Sequence, residues 1–116
     1  MRAVRFHGPG TALDLTEIPE PDVGAGAVID VVACGICHSD LHAVAGDYPT
    51  TLPVTLGHEV VGRHPTLGNV LVYAPWGCRA SDCFACASGQ ENICPNSSEV
   101  GLVVDGGYAE RDRKST

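Results

Sequence analysis

The sequence predicts a mainly β fold of one domain: a small, partly open barrel with a short helix and a cysteine-rich lobe. Three observations carry that expectation. The apolar runs are short and separated by Gly and Pro, which favours strands over helices for most of the length. Only Ser39 to Val44 has the character of a short helix. Four of the six cysteines crowd into GCRASDCFACASGQENIC, a density that so polar a loop carries when it closes around a metal ion.

In chain order, Arg2 to Phe6 and Leu13 to Ile18 are the first expected strands. Pro19, Pro21, Gly24 and Gly26 then break the chain ahead of its most apolar run, Ala27 to Ala33, the third. Ser39 is the expected N-cap of the helix, because a hydroxyl there can accept an unpaired backbone N–H. Glu59 to Arg63, Val70 to Ala74 and Val100 to Val104 complete the strand set, and the cysteine lobe occupies about residues 77–95.

Inside that lobe Cys78, Cys83, Cys86 and Cys94 follow the spacing C-x4-C-x2-C-x7-C, with Gly77, Ser81 and Gly89 as permissive turn residues. Zinc takes four soft ligands in a tetrahedron, and thiolates separated by short turns wrap it without help from distant parts of a fold. Two disulfides or four unrelated buried thiols are the alternatives. Met1 to Phe6 contains no apolar signal core, so a reducing cytoplasmic setting is expected, where clustered cysteines act as ligands. On that reading the sequon Asn96-Ser97-Ser98 is coincidental.

A chain of 116 residues allows one domain, residues 1–116, and at that size a metal that ties loops together contributes to stability. The net charge of −7 argues against nucleic acid or an anionic membrane surface as a partner. No apolar run approaches the length of a membrane span.

A second constellation, ACGICHSDLH at Ala33 to His42, sits where a strand meets the helix and sets a thiol, a hydroxyl, a carboxylate and two imidazoles close together. A third, LGHEVVG at Leu56 to Gly62, adds His58 and Glu59 at a strand start. One cysteine and one histidine make half of a catalytic zinc site, which keeps a position open for water or substrate. Cys34 and Cys37 also form a C-x-x-C, the pattern of a thioredoxin-like redox pair, but that reading leaves GHEVVG and the distal cysteines unexplained. Cys34 is expected as a small packed residue. His7 and His64 are expected at the surface, and Trp76 either in a substrate cleft or in packing. His58-Glu59 does not start a zincin signature, because Gly62 stands where the second histidine belongs.

GICHSDLH, GHEVVG, and the cysteine cluster followed by ENICP, in that order and with DGGYAE near the end, resemble the zinc-dependent alcohol dehydrogenases of the medium-chain dehydrogenase/reductase family. The resemblance is to their N-terminal, GroES-like catalytic domain and runs from Met1 to about Glu110. It implies a catalytic zinc held by Cys37 and His58, a structural zinc held by Cys78, Cys83, Cys86 and Cys94, and NAD or NADP as the hydride carrier. Further roles follow from it. Ser39 hydrogen-bonds the alcohol oxygen, and its proton passes by way of the nicotinamide ribose toward His42. His38 faces the cofactor pyrophosphate, Asp40 orients a ligand, and Glu59 is the acid beside the metal.

The sequence departs from the family pattern in three places. The lobe opens with C-x4-C where the family has C-x2-C, a longer loop that still reaches the metal. RHPTLGNVLVY is shorter than the family's segment and carries Pro65, so one barrel strand is expected to be lost or rerouted, leaving an edge open to self-association. RDRKST reads as a frayed end, ahead of the third zinc ligand and the nucleotide-binding Rossmann domain that the family implies. Gly24-Ala25-Gly26-Ala27 is no dinucleotide fingerprint, since Ile29 stands at the third glycine and a strand follows. Two functions are therefore expected as rivals. One is a truncated catalytic domain of an enzyme oxidising alcohols or reducing aldehydes or ketones, inactive alone; the other is a non-catalytic zinc-binding module.

Overall fold

The computed structural model describes residues 1–24 and 26–114. In chain order its elements are β1 (Arg2–Phe6), β2 (Asp14–Glu17), β3 (Ala27–Gly35), α1 (His38–Ala45), β4 (Val54–Thr55), β5 (Glu59–His64), β6 (Gly68–Leu71), β7 (Pro75–Trp76), α2 (Phe84–Ala87), a 3-10 turn at Glu91–Ile93, β8 (Ser98–Glu99) and β9 (Arg111–Lys114). The strands form three sheets, β2-β1-β4, β6-β5-β3-β9 and β7-β8, with every strand pair antiparallel. The sheets do not close on one another, which is the partly open mainly β architecture expected from the short, Gly- and Pro-punctuated runs.

Alternation explains the layering. Along β5, Val60 and Gly62 point inward while Glu59, Val61 and Arg63 point out, as a strand buried on one face requires. Phe6, Val54, Leu56, Ala43 and Leu102 form the buried cluster, so strands, helix and a late loop meet over one core. The segment 106–110 joins two sheets. Gly106, Gly107 and Tyr108 donate backbone N–H groups to the carbonyls of Thr55, Gly57 and Leu56. The Tyr108 carbonyl accepts from Val4 of β1, and the Glu110 carbonyl accepts from Val31 of β3.

Several expectations are corrected. The helix is capped by Cys37, not Ser39, and it starts one residue earlier than expected. Val100 to Val104 is a turn: Gly101 takes φ 77°, and the Glu99 carbonyl accepts N–H bonds from Leu102, Val103 and Val104, reversing the chain where apolar content suggested a strand. The charged run at the end is not frayed over Arg111–Lys114, which pairs with Ala27 to Asp30. The remaining residues of that run, Ser115 and Thr116, lie outside the described residues, as does Ala25. RHPTLGNVLVY makes a tight hairpin of β5 and β6, and His64 stabilises its turn: Nδ1 accepts from the backbone N–H of Thr66 at 3.2 Å and Leu67 at 3.1 Å. His64 is thus a turn-holding residue, whereas His7 is exposed as expected. β6 ends its sheet, the open edge anticipated for this segment.

Candidate functional site

The chain leaves β3 at Gly35, turns through Ile36 and Cys37, and enters α1 at His38. Asp40, at the third helical position, bends back so that Oδ2 accepts the Cys37 backbone N–H at 3.0 Å, satisfying a donor that helix geometry leaves open. Ser39 lies at the second position of the helix and not at its cap, and its Oγ lies 3.3 Å from Cys37 Sγ. Asp40 is only 3 % exposed, and a buried carboxylate must be well bonded to be tolerated. Its Oδ1 accepts the Gly57 N–H at 3.3 Å and faces His58 Nδ1 at 3.5 Å. Tyr108 donates its hydroxyl to Oδ2 at 2.8 Å.

One carboxylate therefore fixes both the helix start and the strand start that carry the candidate ligands. Gly57 makes the approach possible at φ 95°, where a Cβ would come within 2.7 Å of the Tyr108 ring and 2.8 Å of Cys34 Sγ. The ligand atoms of Cys37, His58 and Glu59 all lie within 4.8 Å of one another. His58 Nδ1 is buried without a hydrogen-bond partner among the described residues and faces Asp40, which leaves Nε2 as the nitrogen available to a metal. A thiol, an imidazole and a carboxylate so placed are a donor set that suits zinc.

Cys34 and Cys37 are both free thiols, and Cys34 packs toward Gly57 and Gly107. Burial pushes the Cys34 thiol up to about 11, keeping it neutral, as expected of a packing residue. Burial, reinforced by the hydrogen bond to Asp40, likewise raises the Tyr108 phenol well above its ordinary value.

Ser39 and His58 line a cavity of about 470 Å³ whose other walls include Tyr48, Pro49, Leu102 and Val103. Trp76, half-buried in β7, is not among its lining residues but borders two other cavities. His38 and His42 stand one turn apart on the exposed side of α1. His42 Nδ1 pairs with Asp47 Oδ2 at 2.9 Å, and its ring contacts Tyr48 at 5.6 Å between centroids. Asp47 and Tyr108 carry no local motif of their own. The only sequence signal for Tyr108 is its place within DGGYAE.

The lobe forms the second cluster. Zinc at about 2.3 Å from four sulfurs in a tetrahedron sets them about 3.8 Å apart. Cys78 and Cys86 Sγ lie 3.9 Å apart, Cys83 and Cys94 Sγ lie 3.7 Å apart, and all four fall within 4.8 Å. These are separations for a shared ion, far beyond a disulfide bond of about 2.05 Å. Backbone N–H groups point at the sulfurs: Cys78 N–H at Cys94 Sγ, 3.4 Å, and Arg79 N–H at Cys86 Sγ, 3.3 Å. The first of these lowers Cys94 to about 7, while burial pushes Cys86 up to about 12.

The longer first loop closes through Arg79, which takes φ 56°, and through a turn in which Cys83 N–H bonds to the Ala80 carbonyl. Gly77 must lack a side chain, because a Cβ there would run into Cys86 Sγ, and its N–H is held by Glu91 at 3.0 Å.

A partly open β domain with a thiol–imidazole–carboxylate cluster at a cavity wall, and a separate four-sulfur lobe, has the make-up of the metal-holding domain of a zinc-dependent dehydrogenase. The family model described as the alcohol dehydrogenase GroES-like domain matches residues 24–112, and the chain belongs to that family. It is 40 % identical over 122 residues to an alcohol dehydrogenase of Geobacillus stearothermophilus, covering 95 % of this chain and 36 % of that one. An NAD-dependent alcohol dehydrogenase of Sulfurisphaera tokodaii is 36 % identical over 129 residues, covering 95 % and 37 %. Among solved structures, one described as a zinc-binding dehydrogenase from Sinorhizobium meliloti bound to NADP superposes with a TM-score of 0.80 at 32 % identity, covering 98 % of this chain and 36 % of that one. The chain thus spans little more than a third of the length of the relatives it matches. Zinc and NAD or NADP are the cofactors of the family.

Proposed function

We propose that this domain supplies the metal-holding half of an NAD- or NADP-dependent oxidation of alcohols, or the reverse reduction of aldehydes or ketones. The convergence of Cys37, His58 and Glu59 within 4.8 Å, beside a cavity lined by Ser39 and His58, carries the reading. Cys37 and His58, with Glu59 alongside, would hold a zinc ion, whose positive charge would let a hydroxyl proton leave near neutral pH, and a nicotinamide would serve as hydride acceptor. The residues of the chain do the rest. Asp40 holds His58 and Cys37 in register, and Ser39 both accepts the substrate proton and passes it on. His42, exposed and bonded to Asp47, is the outlet toward solvent. His38, at the exposed helix start, faces the cofactor side.

The four-cysteine lobe holds a second, structural zinc, with no position left for substrate. The nicotinamide carrier is bound outside these residues, because no Gly-rich dinucleotide fingerprint occurs in the sequence. The test combines elemental analysis with an assay for alcohol-dependent NADH formation on the 116-residue chain. Expected are one tightly held zinc, a second that Cys37→Ser abolishes, and no turnover. Robust turnover by the chain alone would overturn the assignment of the carrier to other residues. Zinc uptake indifferent to Cys37→Ser would leave only a zinc-binding module.

A further inference from the structure

Of the groups packed around the Cys37–His58–Glu59 cluster, Tyr108 is the one whose contacts the proposed chemistry leaves unused. It lies far along the chain, at a separation of 68 residues from Asp40, yet its hydroxyl is 2.8 Å from Asp40 Oδ2 and 3.2 Å from the Gly35 carbonyl oxygen. The backbone on either side of it is pinned. Tyr108 N–H donates to the Leu56 carbonyl at 3.0 Å, and the Tyr108 carbonyl accepts from Val4 at 2.8 Å. The ring packs against the core cluster and fills the space left by Gly57. The phenol is therefore held on rigid elements, with its hydroxyl aimed at the one carboxylate that bridges both ligand-bearing segments.

We propose that Tyr108 is a positioning residue: its hydroxyl locks the Asp40 carboxylate in the rotamer that orients His58 and Cys37 toward the metal. The inference rests on the metal-centre reading given above. The geometry assigns a separate task to each oxygen. Oδ2 takes two donors, Cys37 N–H and the Tyr108 hydroxyl, so it cannot turn toward His58. Oδ1 accepts the Gly57 N–H and is left facing His58 Nδ1 at 3.5 Å, an approach short of a hydrogen bond. Without the phenol, Oδ2 retains a single donor, and rotation of the carboxylate costs one hydrogen bond fewer. Partners that orient a metal ligand from behind change affinity by about 10–100-fold when removed. The half-buried phenol suits this task, because only its protonated form can donate.

The test uses cobalt(II) as the metal and Tyr108→Phe, which keeps the ring and removes only the hydroxyl. Cobalt titrations followed by absorbance separate the all-sulfur lobe from the mixed site, and Cys37→Ser identifies which bands belong to the latter. In Tyr108→Phe, cobalt affinity at the mixed site is expected to fall about tenfold, with its bands shifted and those of the lobe unchanged. Unaltered affinity and bands in Tyr108→Phe would overturn the proposal while leaving the metal centre intact. A wild-type chain that takes up cobalt at the lobe alone, with bands indifferent to Cys37→Ser, would overturn the metal-centre reading and this inference with it. A second measurement covers a variant that fails to fold. In the wild-type chain the Tyr108 hydroxyl proton should be protected from exchange and its resonance should move on cobalt uptake at the mixed site; an exchanging or unmoved hydroxyl would overturn the proposal.

Discussion

Two residues beside the cluster show how tightly its immediate surroundings are set. Gly57 adopts φ 95° and lies against the Tyr108 ring and Cys34 Sγ, so Gly57→Ala adds both backbone strain and a collision. Destabilisation on the order of 3 kcal/mol is expected, read as a lowered urea midpoint with the slope unchanged. Cys34 makes a different prediction, one of pH. Its thiol is raised from 9.0 to about 11 by burial, so the folded chain holds this proton more tightly than the unfolded chain does. The contribution to stability is complete below about 9 and is lost as pH climbs through about 11. Urea unfolding on either side of that window should show a loss with rising pH in the wild-type chain, and a smaller loss in Cys34→Ala. Equal losses in both would show that other groups cause the decline.

Elements of two to four residues have no stability of their own, and the lobe contains little else. α2 has four residues and the adjoining 3-10 turn has three, too few for a helix to persist unaided. Removing the metal with a chelator, or substituting Cys86→Ser and Cys94→Ser together, should therefore release residues 77–95 while β3 and β5 stay paired. Hydrogen exchange would show lost protection confined to the lobe; metal retained by the double variant would contradict the four-sulfur assignment. The same dependence on context governs what could be read from sequence. β1, β2, β3 and β5 were legible because short apolar runs separated by Gly and Pro mark them, and the cysteine lobe because its spacing is chemical. β4 and β7, two residues each, carry no periodicity, and β9 is a charged run whose pairing comes from the exposed backbone of β3. At Val100 to Val104 apolar content pointed to a strand, while Gly101 turned the chain. The helix was legible but its cap was not, because Asp40 reaches back to the Cys37 N–H and starts the helix at His38, which puts Ser39 inside it. Tyr108 was beyond local reading, since its partner is brought near only by the seam between sheets.

At the scale of the whole molecule, the balance of apolar surface is unusual. The largest fully buried side chains are Phe6, Leu56, Val54, Val60, Val100 and Thr55, while Leu15, Val32, Leu67, Leu71 and Tyr73 are each at least 60 % exposed. The radius of gyration is 14.3 Å, slightly above the roughly 13 Å expected for a compact chain of this length. Part of this surface lies along β6, which has a partner on one side only and presents unpaired backbone groups next to exposed Leu67 and Leu71. An edge with apolar neighbours and no lysine invites pairing with another strand, and the net charge of −7 acts against it only weakly in salt. Concentration-dependent association in sedimentation velocity is therefore expected, increasing with ionic strength as the like charges are screened. Leu71→Lys should reduce it by placing a charge on the edge, whereas Val32→Lys, on the far side of the sheet's β3, should not. If Val32→Lys alone restored the monomer, the contact would lie on the face between β2 and β3 rather than at the β6 edge.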